Sequence, residues 1–292
     1  MILFIAHLKY PVILHIKIMA KESNRMEKSK LIDMIENNPY ALAYIDNPTD
    51  ELKLLAIRKN GLAIQHIAEP TREMQELAID NNPRAIQFIK NPTEAMMLKA
   101  IHAGWINLEY IKNPTDQLVK LAIDQAGWAI KYVQHPSEEL QLLAVRKNYD
   151  AIKFIKEPYA RVQEEAVRIS YDALRYIHSP TYQAELIAIK NDERAIRLIN
   201  DLDKNKILEF LKVNILVIKY VIKEISADEL EQVLKEALSN EEVEEKYVRD
   251  YLNCTTIDKN SDMIPMDKLM FLDQYGSKKA KKIAVDEKLK IK

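Results

Sequence analysis

Seven prolines, Pro48, Pro70, Pro92, Pro114, Pro136, Pro158 and Pro180, recur every 22 residues without exception. A fixed period of that length marks a tandem array, in which each unit is one supersecondary element that buries its apolar face only by stacking on its neighbours. A conventional single-core domain has no reason to keep such a register.

Counting each unit from its proline as position 1 brings out what recurs. Position 2 is Thr49, Thr71, Thr93, Thr115, Ser137, Tyr159 and Thr181, followed in most units by an acid such as Asp50, Glu73, Glu94, Asp116 or Glu138. A hydroxyl that accepts from the first free amides, with carboxylates in the first turn where the helix dipole favours them, predicts a helix start. Position 9 is alanine in every unit, from Ala56 to Ala188, position 10 is always Ile or Val, and position 5 is usually Leu, Met or Val. Position 13 (Asn60, Asn82, Gly104, Ala126, Asn148, Ser170, Asp192) is mostly a residue type that ends helices and tolerates turns.

A second apolar pattern follows at positions 16, 17, 19 and 20, as in Ala85, Ile86, Phe88 and Ile89 or Ala151, Ile152, Phe154 and Ile155. The spacing predicts about two turns of amphipathic helix ended by the next proline. Strands fit poorly, because neither period-two alternation nor hairpin turn dipeptides are present. The expected unit is therefore helix, tight turn, short helix, proline. Its few apolar side chains do not offset the ordering of 22 residues, so stacking is required. The alanines at position 9, with alanine at position 16 in six of seven units, allow neighbouring backbones to approach closely. The expected fold is an all-α solenoid of seven to eight two-helix repeats with helical caps.

Composition supports a solenoid with ordinary surface chemistry: 48% hydrophobic, 30% charged, net charge -1. Such a balance predicts no bulk attraction to nucleic acid or membrane. Cys254 is the only cysteine, which excludes an intrachain disulfide and suggests a reducing compartment such as the cytoplasm. Residues 1–25 are largely apolar but carry His7, Lys9, His15 and Lys17 around Pro11, and read as a leader or an upstream extension before a start at Met19 or Met26. The array is expected over 26–225. Asn38 to Ile45 matches the second half of a unit, and Ile218, Tyr220 and Val221 keep positions 17, 19 and 20 of an eighth whose proline position is Leu202. Residues 226–252 read as an acidic helical cap. Residues 253–292, with seven lysines after Gly276, read as a weakly structured tail.

The run of Ala, Ile or Val, Asn and Gly ahead of Ala, Ile, aromatic and Ile, as over Ala56 to Ile67 and Ala144 to Ile155, resembles a short-repeat family of large bacteriophages, giant viruses and some intracellular bacteria. More distantly it is similar to leucine-rich-variant repeats, in which an α-helix alternates with a shorter, tighter one. The resemblance covers roughly residues 30 to 222. It implies a phage or viral origin and a non-enzymatic binding role, and it supplies no catalytic residues. The 22-residue unit and single proline depart from the leucine-rich-variant pattern.

Catalytic constellations are not evident. His66, His102, His135 and His178 fall at positions 19, 11, 22 and 21, so they make no metal-ligand spacing. No phosphate-binding glycine loop, nucleophile elbow or HExxH is present, and no cofactor is called for. The polar rows are more informative, because like positions in stacked repeats form a line. Position 18 runs Gln65, Gln87, Glu109, Lys131, Lys153, Arg175, Arg197, and position 11 runs Arg58, Asp80, His102, Asp124, Arg146, Arg168, Lys190. Both turn basic toward the C-terminus. Beside them, at positions 14 and 15, lie Trp105, Ile106, Trp128, Tyr149 and Tyr171. Three readings compete for this strip. The aromatics simply cover the adjacent turn while the cations are solvated, or they anchor a protein partner with Arg at the rim, or they stack bases with Lys131, Lys153, Arg175 and Arg197 on phosphates. Protein docking, with interference with a host factor as its use, is the expectation carried forward, and nucleic acid is the alternative.

Overall fold

A computed structural model describes residues 27–261 and 264–290. The expected leader over 1–25, with its alternative starts, lies outside the described residues. The fold is an all-α solenoid built of helix pairs, and no strand occurs among the described residues beyond a single bridge between Ile257 and Ile264. The chain divides into a unit ending at Gln125 and a second beginning at Ala126. Within each, long helix packs on long helix and short on short in chain order.

The 22-residue register is kept to the residue. Positions 3 to 12 form an α-helix of ten residues, as in Asp50–Lys59, Arg72–Asn81 and Glu94–Ala103 of the first unit and Glu138–Lys147, Ala160–Ile169 and Tyr182–Asn191 of the second. The hydroxyls of Thr49, Thr71, Thr93, Thr115, Ser137 and Thr181 each accept the amide three residues on, which is the predicted cap. Tyr159 lacks a side-chain cap bond. Position 13 then performs two tasks in one extended residue: φ is -153° at Asn60 and -146° at Asn82. Its amide donates to the position-9 carbonyl, closing the long helix, and at Asn60, Asn82, Ser170 and Asp192 its side chain also accepts from position 15, opening the short one.

The short element is a 3₁₀ helix of six residues at positions 14 to 19, as in Gly61–His66 and Pro83–Phe88 of the first unit and Tyr149–Phe154 and Tyr171–Tyr176 of the second. At three residues per turn, positions 14, 17 and 20 share the inward row and positions 15 and 18 eclipse each other on the solvent side. Position 19, grouped above with the core, is a correction. Phe154 is 38% exposed, Tyr176 42% and Tyr44 86%. It shares a row with position 16, where a methyl fits between neighbouring backbones and a ring does not, so the ring is left at the edge.

Packing is tightest at the alanines. All seven at position 9 and the six at position 16 are fully buried. In the Pro92 repeat Asn107 takes position 16 and donates its amide to the Ala100 carbonyl at 2.8 Å. Side-chain amides also tie repeats together. In the first unit the Asn81 side chain donates to the Arg58 carbonyl (2.9 Å) and accepts from the Gly61 amide (2.6 Å). In the second, Gln163 donates to the Pro158 carbonyl (3.1 Å) and accepts from the Thr181 amide of the next repeat (2.9 Å).

The second unit ends in a helical module. Ala227–Ser239 packs on the eighth long helix, Lys204–Val213, and Glu245–Asn253 follows. The weakly structured tail expected over 253–292 is also corrected: Lys268–Tyr275 and Lys278–Lys290 are helices. Phe271, Leu272, Ala280, Ile283 and Ala284 are buried, Arg249 pairs with Glu287, and Glu241 accepts the amides of Lys278 and Lys279. The lysine run concealed an apolar face that this module covers.

Two measurements test the packing. A Cβ on Gly61 would overlap the Ala78 carbonyl oxygen, whereas one on Gly104 would meet nothing within 4 Å, and Gly104 is extended at φ 169°. Gly61→Ala is expected to lower unfolding stability by about 1–3 kcal/mol in urea titrations, and Gly104→Ala to leave it unchanged or raise it by about 0.5 kcal/mol. Secondly, Glu229 closes a capping box, accepting from the Ser226 amide (2.8 Å) and pairing with Lys204 (2.9 Å). The Ser226 backbone amide, then Lys204, lowers its carboxyl from 4.5 to about 2. Its contribution is present above pH 4.5 and lost as pH falls through about 2. Carbon-detected NMR should find Glu229 still ionised at about pH 3, and the stability gap to Glu229→Gln should close only below that.

Candidate interaction surface

The residues singled out from the polar rows fall in both units. In the first, Trp105 is half-buried with its amide bonded to Gln125 Oε1 at 2.8 Å, while Ile106 and Glu109 are exposed. In the second, Trp128, Lys131, Lys153, Arg175 and Arg197 are exposed, and Tyr149 and Tyr171 are half-buried. The richer geometry is in the second unit.

Lys153 is its centre. Its Nζ lies 5.8 Å from the Trp128 ring, 5.1 Å from Phe154 and 5.8 Å from Tyr176, and it donates to Asp150 Oδ2 at 2.7 Å. Asp150 Oδ1 accepts from Trp128 Nε1 at 2.8 Å. One carboxylate at position 15 therefore holds the indole of the preceding repeat and the ammonium one 3₁₀ turn ahead. Burial pushes the Asp150 carboxyl up, but the Lys153 ammonium and Trp128 indole outweigh it and hold it below the ordinary value. The hydrogen bond to Asp150 raises Lys153 in turn.

The pattern repeats along the row. Arg175 Nε donates to Asp172 Oδ1 at 2.8 Å, Lys131 sits 4.5 Å from the Tyr132 ring centre, and Arg197 lies 4.6 Å over Tyr220. Arg194 stacks 5.3 Å over Tyr171 and pairs with Asp192. The position-11 row is compensated as well: Arg146 and Arg168 share Glu165, and Lys190 pairs with Glu244. The basic rows are thus largely neutralised inside the second unit, so reading the cations by column overstated their positive field.

Phe154, Tyr176, Tyr220, Asp150 and Asp172 belong to this surface and were missed as surface residues. A signal for the acids was present, since Asp150 and Asp172 stand three residues before Lys153 and Arg175. Among the described residues no group of three or more His, Cys, Asp or Glu is arranged to hold a metal ion, and no helix is long and apolar enough to cross a membrane. Comparison with family models, with curated proteins and with solved structures finds no match to the chain.

The Asp150–Lys153 pair is testable by a double-mutant cycle with Asp150→Asn and Lys153→Gln. A coupling of about 0.5–1 kcal/mol is expected at neutral pH. Because the acid is lowered from 3.8 and the amine raised from 10.5, the coupling should be full between those values, fading as pH falls below the first or rises above the second.

Proposed function

We propose that this chain is a non-enzymatic protein-interaction solenoid whose partner docks on the short-helix face of the second unit, against Trp128, Phe154 and Tyr176. The observation that carries the reading is a row of exposed rings beside cations that already have intramolecular carboxylates. Rings of this kind supply large contact area at low entropic cost, which is what interface anchors require. A nucleic-acid backbone draws its affinity from several uncompensated cations in a track, and Lys153, Arg175 and Arg194 are each paired. On the resemblance to repeats of large phages, the partner would be a host protein met in the host cytoplasm.

The test is affinity capture from a host lysate, quantified by mass spectrometry, with wild type and the double variant Trp128→Ala, Phe154→Ser. Both rings are 38% exposed and Trp128 also bonds Asp150, so melting temperature should fall modestly with helical content kept, while capture of the partner drops about ten-fold or more. Equal capture removes this face. A mobility shift with RNA or DNA that collapses as salt is raised would move the assignment to nucleic-acid binding.

A further inference from the structure

A cleft of about 470 Å³ opens between the short helices of the repeats led by Pro158 and Pro180. Arg175, Tyr176 and His178 line it from one repeat, and Arg197, Leu198 and Asn200 from the next, with no carboxylate among the lining residues. The reason is a break in the local pattern. In the Pro136 and Pro158 repeats position 15 is an aspartate that pairs with the position-18 cation. In the Pro180 repeat position 15 is Arg194, which is occupied with Asp192. Arg197 therefore makes no ion pair among the described residues, and rests on the Tyr220 ring. Asp172 meets Arg175 through Nε alone, leaving the terminal amino groups for another acceptor.

We propose that this cleft is a carboxylate-recognition site that takes an acidic side chain of a docked peptide segment. It deepens, and rests on, the docking face proposed above. Planar guanidinium groups from the same position of successive repeats suit a carboxylate, whose two oxygens accept from fixed donors. The volume exceeds that of a bare anion, and the partly exposed Leu198 gives it an apolar edge for the residue beside the acid. Along the position-18 row the cations on either side of this step are compensated. Lys153 is held by Asp150 on one side and Lys219 by Glu193 on the other. A single acid fits that pattern better than a polyphosphate chain, which needs a continuous track.

The experiment follows the arginine side-chain Nε–H signals of the full chain by NMR. The probes are a capped peptide of alternating glutamate and leucine, its glutamine counterpart and a single-stranded oligouridylate. Saturable shifts of Arg175 and Arg197 are expected with the glutamate peptide alone, and Arg197→Gln should weaken its binding about ten-fold, while Lys219→Gln leaves it unchanged. Equal shifts from the glutamine peptide, indifference to Arg197→Gln, or stronger shifts from the oligouridylate would each overturn the proposal. The two readings separate in the capture assay. If Trp128→Ala, Phe154→Ser loses the partner and Arg175→Gln, Arg197→Gln keeps it, the docking face stands and the carboxylate site falls.

Discussion

The position-9 alanine is where the repeats meet. Its methyl is fully buried, and its carbonyl accepts the amide of position 13, ending the long helix. In the Gly61 and Gly127 repeats the glycine following that bend lies so near the next repeat's alanine carbonyl that even a Cβ would overlap it. A larger residue in place of the alanine would force the repeats apart, whereas the glycine's place is taken by Pro83, Trp105, Tyr149, Tyr171 or Glu193 in the other repeats. Close approach at the buried alanines lets successive repeats within each unit stack in one register.

An equal step turns positions into rows, and the 3₁₀ helix decides which rows face water. With three residues per turn, positions 15 and 18 stand above one another, so an aspartate and a lysine or arginine placed there must meet. The same stacking brings position 15 of one repeat beside position 15 of the next, which is how the Trp128 indole reaches Asp150. Ion pairs on an exposed face contribute little to stability. Here they fix where the cations sit, so that the rings of Trp128, Phe154 and Tyr176 flank an ammonium of settled position.

Much of the long-helix architecture was legible from residues with a single physical role. The threonines at position 2 and the prolines act within one repeat, and the alanines at position 9 are small because the next repeat packs on them, so each marks its own place. The short helix was less so, because Ala, Ile, aromatic and Ile at positions 16, 17, 19 and 20 satisfy both a 3.6-residue and a 3-residue turn. Choosing wrongly buried Phe154 and Tyr176, which lie at the edge. The C-terminal helices were hidden for a different reason. Lysines dominate Lys278–Lys290, and the apolar residues Ala280, Ile283 and Ala284 have meaning only against Glu245–Asn253 and Lys268–Tyr275. Charge compensation was missed because Glu165 at position 8 and Asp150 at position 15 belong to columns other than those of the cations they neutralise.

Where a repeat departs from the shared pattern, the departure carries more information than the pattern. Regular positions serve stacking, and any change there costs stability, so local rules are kept unless something offsets breaking them. Asn107 in the alanine column leaves its side-chain oxygen buried without a partner, a local cost that its bond to the Ala100 carbonyl only partly offsets. Arg194 in the column that holds Asp150 and Asp172 is different, because it removes the neighbour that would have neutralised Arg197 and does so at the solvent face, where stacking makes no demand. Restoring an aspartate there would offer Arg197 the pairing seen in the two preceding repeats, so an arginine at this place keeps one guanidinium available beside an open cleft.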